Sequence, residues 1–308
     1  MLPVAYCEKL TNITIPNSVT TIGKGTFDRC ISLTTLSLPD NLTYIAEYLF
    51  YECSNLTSIV IPDKVASIGI SAFADCTSLS SIVLPPSLKT IANSAFRDCE
   101  SVQNVYISDL SAWCKISFDT YGSNPLYGSK YKTGYAKLYL QGEEVTNLVI
   151  PDDILKVNYG AFEGCGSITN VTISGRVTSI GQNAFARCGN IESVTIGDSV
   201  ATIGANAFNN CDKLNTLTIG SGVVSIGDEA FCFDKSSSLK TVYCKSTTPP
   251  STATHLFHYH PYAGYSYASY CSIYVPYESI SYYKETEHWS VYADKMIAYD
   301  FENGVVVE

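Results

Sequence analysis

The hydrophobic positions of this chain repeat with a period of 23 residues. The segment from Cys53 to Cys76, CSNLTSIVIPDKVASIGISAFADC, matches the next one, CTSLSSIVLPPSLKTIANSAFRDC, at nearly every apolar, Pro, Phe and Cys position. The phenylalanines of the period form two runs: Phe27, Phe50, Phe73 and Phe96, and after a gap Phe162, Phe185, Phe208 and Phe231. A fixed period of roughly 20–50 residues predicts a repeat protein, in which stacked units bury a core that one unit cannot bury alone.

Each repeat unit predicts a short strand followed by turns. The alternation of Ile59 and Ile61 suits a strand with one buried face, and Pro62 ends it because proline lacks the amide donor that a ladder needs. Gly69 predicts a turn at positive φ, and too few residues remain before Phe73 for more than one helical or 3₁₀ turn. At the equivalent of Gly69, other repeats carry Ala46, Ala92 and Asn158.

The repeats together predict a solenoid built on one parallel sheet. Ten candidate strands begin near Leu10, Leu33, Leu56, Leu79, Val102, Val145, Ile168, Ile191, Leu214 and Leu239. With strands about 4.7–4.9 Å apart, such a sheet would be roughly 45 Å long. Phe73 should then lie buried between Phe50 and Phe96.

Residues 1–245 are predicted to form the solenoid, with an insertion at 108–144, and residues 246–308 to cap it. Within the insertion, Ser108 and Asp109 suit the N-cap of a short helix, and KLYLQGEEV reads as strand, turn and strand. The insertion is interpreted either as packed chain that replaces the convex side of one repeat or as a binding loop, since the 120–135 loop is rich in Tyr.

The tail carries two further features. His255, His258 and His260 have the residue types of a zinc or nickel site, but no acidic or thiol ligand stands beside them, so no metal is predicted. The Tyr-rich segment 259–270 is either a contact surface or loop packing.

The cysteines mostly follow the period. Equivalent thiols on adjacent coils would have parallel Cα–Cβ vectors, which is poor disulfide geometry, and a buried free Cys behaves as a small hydrophobe. We therefore predict a ladder of packed, reduced thiols at Cys30, Cys53, Cys76 and Cys99 and at Cys165, Cys188 and Cys211; Cys7 keeps the same spacing. The alternative is some oxidised pairs, for which the cysteines outside the ladder are the first candidates: Cys114, Cys232, Cys244 and Cys271.

Composition narrows the classes of partner. The chain of 308 residues has a net charge of −10, with 16% charged residues and no basic cluster, which argues against binding nucleic acid or anionic membranes. No apolar run approaches the length of a transmembrane helix. The start, MLPVAYCEKL, does not read as a signal peptide and enters the repeat part-way, as expected either of a piece of a longer protein or of residues covering the end of a solenoid.

The predicted outward face of the sheet offers no catalytic chemistry. One column holds Asn12, Thr35, Ser58, Ser81, Asn104, Asn147, Asn170, Ser193, Thr216 and Thr241, and the next holds Thr14, Ser37, Val60, Val83, Tyr106, Val149, Thr172, Thr195, Thr218 and Tyr243. None of these is charged or a His, so no general acid, general base or nucleophile–base pair can be assembled there, and no catalytic residue or cofactor is predicted.

Two interpretations of this face remain open. Its residues are good strand formers that avoid like-charge repulsion between coils, or they form a binding surface. For the binding surface, the candidate residues are Val60, Val83, Asn104, Tyr106, Asn147, Val149 and Tyr243. We expect Val60, Val83 and Tyr106 to form one contiguous apolar strip within an otherwise Ser, Thr and Asn face.

The repeat units resemble the BspA-like leucine-rich repeat, in which I-P-x-x-V-x-x-I-G-x-x-A-F-x-x-C recurs, as in LTSIVIPDKVASIGISAFADC. The resemblance implies a right-handed leucine-rich-repeat superhelix with 3₁₀ or helical turns on its convex side. It also implies a secreted or surface-attached bacterial protein that adheres to host or bacterial surface proteins and has no catalytic residues. We expect the chain to be a monomer.

The alternative is a carbohydrate-binding or carbohydrate-active β-solenoid. A lyase would need clustered Asp, Lys or Arg, which the face lacks. A lectin would show Tyr or Trp beside Asn and Asp, and only Tyr106 and Tyr243 fit that pattern.

Overall fold

The computed structural model describes residues 4–120, 122–127, 136–233, 238–252, 256–259, 266–267 and 271–308. The chain divides into two units, one of residues Met1–Val145 with Asn158–Ser167 and one of residues Thr146–Val157 with Ile168–Glu308. Each unit is a solenoid of short parallel strands with little helix, which confirms the predicted fold class.

In the first unit, each complete coil contributes one strand to each of two sheets. The strands are β1 (Tyr44–Ile45), β2 (Ser58–Val60), β3 (Ser67–Ile68), β4 (Ser81–Val83), β5 (Thr90–Ile91), β6 (Asn104–Ile107), β7 (Ser117–Phe118), β8 (Lys137–Leu140) and β9 (Glu143–Glu144), and helix α1 spans Leu110–Lys115. The sheet orders are β1-β3-β5-β7 and β2-β4-β6-β8-β9. The strands predicted near Leu10 and Leu33 are reduced to a single bridge between Thr14 and Ser37.

The second unit repeats this arrangement over more coils. Its strands are β10 (Asn147–Val149), β11 (Lys156–Val157), β12 (Asn170–Ile173), β13 (Ser179–Ile180), β14 (Ser193–Ile196), β15 (Thr202–Ile203), β16 (Thr216–Ile219), β17 (Ser225–Ile226), β18 (Thr241–Cys244), β19 (Ser251–Thr252), β20 (His258–Tyr259), β21 (Ser266–Tyr267), β22 (Ser272–Pro276), β23 (Met296–Asp300) and β24 (Val305–Val306). Helix α2 spans Ile280–Glu285, and 3₁₀ helices span Tyr277–Ser279 and Ser290–Lys295. The sheet orders are β10-β12-β14-β16-β18-β22-β23-β24, β11-β13-β15-β17-β19 and β20-β21.

The prediction of one continuous ten-stranded sheet is wrong. Strand β6 pairs in parallel with β8, where Tyr106 lies opposite Tyr139, and the chain then turns at Gly142 into the antiparallel β9. The insertion therefore supplies a strand to each sheet of its unit, β7 and β8, rather than only replacing a convex side. Its predicted strand–turn–strand is confirmed, as is the N-cap, since the Asp109 carboxylate accepts a hydrogen bond from the Ala112 amide at 2.9 Å.

The phenylalanine column forms the core of each unit. Phe73 is fully buried and stacks between Phe50 and Phe96, with ring centroids 5.2 Å apart on both sides. In the second unit, Phe208 stacks on Phe185 at 5.0 Å and on Phe231 at 5.4 Å. These distances lie close to the strand spacing of about 4.8 Å, so the coil repeat itself sets the ring stack. The predicted burial of Phe73 is confirmed.

The cysteine column satisfies the carbonyl groups of the phenylalanine column. The Phe50 carbonyl oxygen accepts a hydrogen bond from the Cys53 amide of its own coil at 3.1 Å and one from the Cys76 thiol of the next coil at 3.1 Å. A carbonyl oxygen has two lone pairs, so both are used. The same thiol-to-carbonyl bond links Cys53 to Phe27, Cys99 to Phe73 and Cys211 to Phe185, at 3.0, 3.0 and 3.3 Å. Cysteine therefore ends the repeat because its thiol both packs and donates.

The expected role of Gly69 is wrong. Its φ is not positive; instead, an added Cβ would lie 2.6 Å from the Glu47 amide nitrogen of the preceding coil. Positive φ occurs at Ser71 (51°) and Asp75 (62°), within turns closed by i to i−3 hydrogen bonds, as from the Cys76 amide to the Phe73 carbonyl. These turn bonds are of the 3₁₀ type, but the left-handed residues between them prevent a continuous helix. The glycine is therefore needed for close backbone approach.

We predict that Gly69→Ala destabilises the protein by about 1–3 kcal/mol, because the new Cβ must push backbone atoms of the neighbouring coil apart. The matched control is Gly23→Ala, where an added Cβ meets nothing closer than 3.7 Å. That variant should be neutral or stabilising by about 0.5 kcal/mol, since alanine restricts the unfolded chain. Urea unfolding of both variants measures the difference. Equal effects would contradict the close-approach role.

We also predict that the stability of the protein falls at alkaline pH through its buried thiols. Burial raises the pKa of the Cys53 thiol from its ordinary value of 9.0 to about 12. The folded state therefore holds this proton more tightly, so its contribution to stability is full below about pH 9 and is lost as the pH rises towards 12.

The measurement is the free energy of unfolding between pH 8 and 11 for the wild type and Cys53→Ala. The variant should show a shallower decline, and an identical slope would contradict the prediction. As a control on the oxidation state, all twelve cysteines should react with a thiol reagent in denaturant without reductant.

Candidate functional site

An apolar strip runs across the outward face of the first unit. Val60 pairs with Val83, Val83 with Tyr106 and Tyr106 with Tyr139, so these four residues form one column over strands β2, β4, β6 and β8. We call them the apolar strip. Val60 is 62% exposed and Val83 38% exposed, while the two tyrosines are half-buried because their rings stack on each other at 4.9 Å. The predicted contiguity of Val60, Val83 and Tyr106 is confirmed.

The column beside the strip is small and polar until its last member. Ser81 pairs with Asn104, and Asn104 with Lys137. The Lys137 ammonium lies 2.8 Å from the Glu144 carboxylate, and the Tyr139 hydroxyl donates to the same carboxylate at 3.5 Å. The face therefore carries an ion pair where the insertion joins it. Sequence reasoning missed Lys137 and Tyr139 because β8 lies outside the 23-residue period.

The remaining predicted residues lie in the second unit. Val149 is 56% exposed on β10 and pairs with Thr172, while the neighbour of Tyr106 on the next strand is Tyr139. Asn147 begins a ladder of polar side chains. The Asn170 amide donates to the Asn147 side-chain oxygen at 2.6 Å, and the Ser193 hydroxyl donates to the Asn170 side-chain oxygen at 2.6 Å. Hydrogen bonds between neighbours therefore hold the side chains of this column in place.

Tyr243 belongs to an aromatic cluster that we define as Tyr243, Tyr274, Tyr299 and Phe301. Tyr243 stacks on Tyr274 at 4.8 Å; Tyr299 meets Tyr274 edge to face at 5.3 Å and Phe301 at 4.9 Å. Burial, with a smaller contribution from the neighbouring tyrosines, raises the pKa of the Tyr243 hydroxyl. Of this cluster the sequence indicated only Tyr243. Alternation in SIYVP and MIAYD was the available signal for Tyr274 and Tyr299.

A polar groove of about 530 Å³ lies along the face of the second unit, at the amino ends of β14, β16 and β18. It is lined by amides, hydroxyls and a few charges, among them Asn170, Asn215, Glu192, Lys213 and Lys240. The Lys213 ammonium donates to the Asn190 side-chain oxygen at 2.8 Å. The charged residues occupy positions just outside the two outward columns. The columns read from the sequence therefore contain no charged residue.

Some predicted features lie beyond the described structure. His255 and His260, the His258 side chain, the side chains of 259–270 and most of the 120–135 loop are outside the described residues. Within the described part, no group of three or more His, Cys, Asp or Glu side chains is arranged to hold a metal ion. No helix there is long and apolar enough to cross a membrane.

The fold and the columns on its face define a leucine-rich-repeat solenoid. A family model described as the BspA type leucine rich repeat region matches residues 4–121 and 135–260 in six copies. The chain belongs to this BspA-type leucine-rich-repeat family. The matching model describes repeats and no catalytic domain. Among curated proteins, no match was found.

Several solved bacterial structures are similar to the chain. A leucine-rich repeat protein from Bacteroides ovatus is 22% identical over 96% of this chain and 85% of that chain, with a TM-score of 0.46. The pneumococcal vaccine antigen PcpA is 17% identical over 97% and 79%, with a TM-score of 0.47. A leucine rich cell surface protein from Faecalibacterium prausnitzii is 22% identical over 76% and 82%, with a TM-score of 0.34. At these identities and scores, the similarity carries nothing about what this chain binds.

Proposed function

We propose that this chain is a non-catalytic protein-binding module of a bacterial surface or secreted protein and that it acts in adhesion. The apolar strip is the observation that carries this proposal. Its two valines are exposed without a covering element in the described structure, and its two tyrosines form a stacked pair. Aromatic side chains surrounded by small polar ones are typical of the centre of a protein interface.

The physical cost of covering this strip is low. The strip stands on parallel strands locked in register, so little conformational entropy is lost when a partner binds. Its four side chains are uncharged, which limits the desolvation penalty. The surface or secreted location and the partner class, host or bacterial surface proteins, follow from what the BspA-like family implies. We propose that the chain binds them as a monomer and needs no cofactor.

We predict that Tyr106→Ala weakens binding to an immobilised host matrix protein by about 1–2 kcal/mol, roughly 5- to 30-fold, with little loss of folded stability. The matched control is Tyr44→Ala, which removes a more exposed tyrosine (41%) from β1 in the other sheet of the same unit. The control should stay within about twofold of the wild type. Surface plasmon resonance against a panel of purified matrix proteins gives the affinities, and thermal melts give the stability.

Two outcomes would contradict the assignment. Equal losses from Tyr106→Ala and Tyr44→Ala would remove the strip as the binding surface. Loss of binding only from variants of the 120–135 loop or of the 259–270 segment would do the same, while leaving the adhesive function in place.

The polar groove of the second unit favours a second candidate function, carbohydrate binding. Its volume of about 530 Å³ falls within the range of roughly 300–1,000 Å³ that small-molecule sites occupy. Its amides and hydroxyls can both donate and accept hydrogen bonds, as sugar hydroxyls require. Thr216 lines the groove and pairs with Thr241, two residues before Tyr243, so an aromatic ring lies close to the groove.

A glycan array with Asn215→Ala and Lys240→Ala tests this candidate. We predict that any glycan bound by the wild type is lost in these variants and retained by Tyr106→Ala, which lies on the other unit's strip. Binding of no glycan would eliminate the candidate. Hydrolysis or elimination of a polysaccharide by the purified chain would overturn the proposal that the chain is non-catalytic.

A further inference from the structure

A cavity of about 200 Å³ lies in the second unit, where the carboxyl ends of β18, β22 and β23 meet. We infer that this cavity is an anchor site for an arginine side chain presented by a basic segment of a partner protein. The inference rests on the proposed protein-binding function and adds the chemistry of the partner. The cavity and the apolar strip are built from different parts of the sequence, so the two sites can be tested independently.

Aromatic side chains form the walls of the cavity. Tyr299 is fixed by edge-to-face contacts with Tyr274 at 5.3 Å (77°) and with Phe301 at 4.9 Å (69°), so the wall exists before any ligand arrives. Tyr277 stands at the cavity with half of its surface exposed. The faces of such rings attract cations, most strongly where water is partly excluded.

Carboxylates outnumber cations at the cavity. Glu278, Asp300 and Glu302 line it, against a single ammonium from Lys245. Neither Glu278 nor Glu302 forms an ion pair within the described residues. The local charge therefore favours a cationic occupant.

Asp300 is held ionised and in place. Its carboxylate accepts a hydrogen bond from the Asn303 side-chain amide at 2.7 Å and from the backbone amides of Asn303 and Glu302 at 3.0 and 2.9 Å. These bonds, the Asn303 side chain first, lower the pKa of Asp300 below its usual value. The negative charge at the cavity is therefore present throughout the neutral range.

The size of the cavity points to one side chain rather than a free small molecule. Sites for drug-sized ligands hold roughly 300–1,000 Å³, more than this cavity offers. Arginine suits it better than lysine, because the planar guanidinium can pair with a carboxylate through two hydrogen bonds and stack on an aromatic face at the same time. The net charge of −10 on the chain adds long-range attraction for a basic partner.

The test uses the full chain and a fluorescein-labelled dodecapeptide of alternating Gly and Arg, with Gly–Lys and Gly–Gln peptides as comparisons. Fluorescence anisotropy measures binding to the wild type, to Glu278→Gln/Glu302→Gln, and to a control that removes the same charge elsewhere, Asp63→Asn/Glu143→Gln. The control residues are exposed and lie in the first unit. The cavity variant should bind the Arg peptide about tenfold more weakly, and the control should stay within about twofold of the wild type.

The aromatic contribution has its own variant. Tyr277→Ala should weaken binding of the Arg peptide about three- to fivefold, in line with a cation–π contact at a partly exposed site, and leave the melting temperature unchanged. The Gly–Gln peptide should not bind to any of the proteins.

Each contrary result overturns the inference. Equal weakening in the cavity variant and the Asp63/Glu143 control would mean diffuse attraction by an acidic surface. Unchanged affinity in the cavity variant, or equal binding of the Gly–Lys peptide, would remove the arginine site. The probe is a defined peptide, so the two proposals can fail separately. If no matrix protein binds but the peptide still binds in a way that depends on the cavity, the proposed function is rejected and the arginine site stands. Tyr106→Ala should leave peptide binding unchanged.

Discussion

Hydrogen bonding between the backbones of successive coils is the constraint on which the rest of the structure depends. On the turn side, the amides of Ser71, Phe73 and Asp75 donate to the carbonyls that stand one coil further on, at 3.1, 2.8 and 2.8 Å. The amides between them close local turns instead. Where both patterns are satisfied in successive 23-residue coils, the same residue type returns to the same place. The rings of the core and the thiols beside them are stacked by this spacing.

The same constraint shapes the outward face. A residue on one coil lies directly against its equivalent on the next, so the face is a set of columns rather than a set of independent positions. Like charges in one column would repel one another, which favours Ser, Thr, Asn and Val. A change of residue type along a column therefore marks a local change in the chemistry of the surface. In the first unit this change is the step from Val83 to Tyr106.

Both candidate protein-binding sites extend to the point where the period stops. The sheet of the first unit ends in β8 and the antiparallel β9, joined through Gly142, and the sheet of the second ends in β23 and the antiparallel β24, with Gly304 at positive φ in the connection. A short strand turned back on itself leaves little edge for another chain to pair with. Beside each hairpin stand stacked tyrosines, at Tyr106 with Tyr139 and at Tyr243 with Tyr274. The aperiodic segments thus close a sheet and supply aromatic surface together.

The period, the buried phenylalanine and cysteine columns, and the outward position of residues such as Val60 and Tyr106 could all be predicted from the order of the residues. These follow because a repeat aligns identical positions, and the alternation along one strand then assigns each to a face. The pairing of Tyr106 with Tyr139 rather than Val149 could be seen only in the folded chain, since a segment without the period carries no register of its own. The fold also decided the role of Gly69: positive φ and close backbone approach both call for glycine, and only the position of the neighbouring coil distinguishes them. The cavity beside Tyr299 could not be predicted from the sequence either, because its walls come from strands that the chain brings together only on folding.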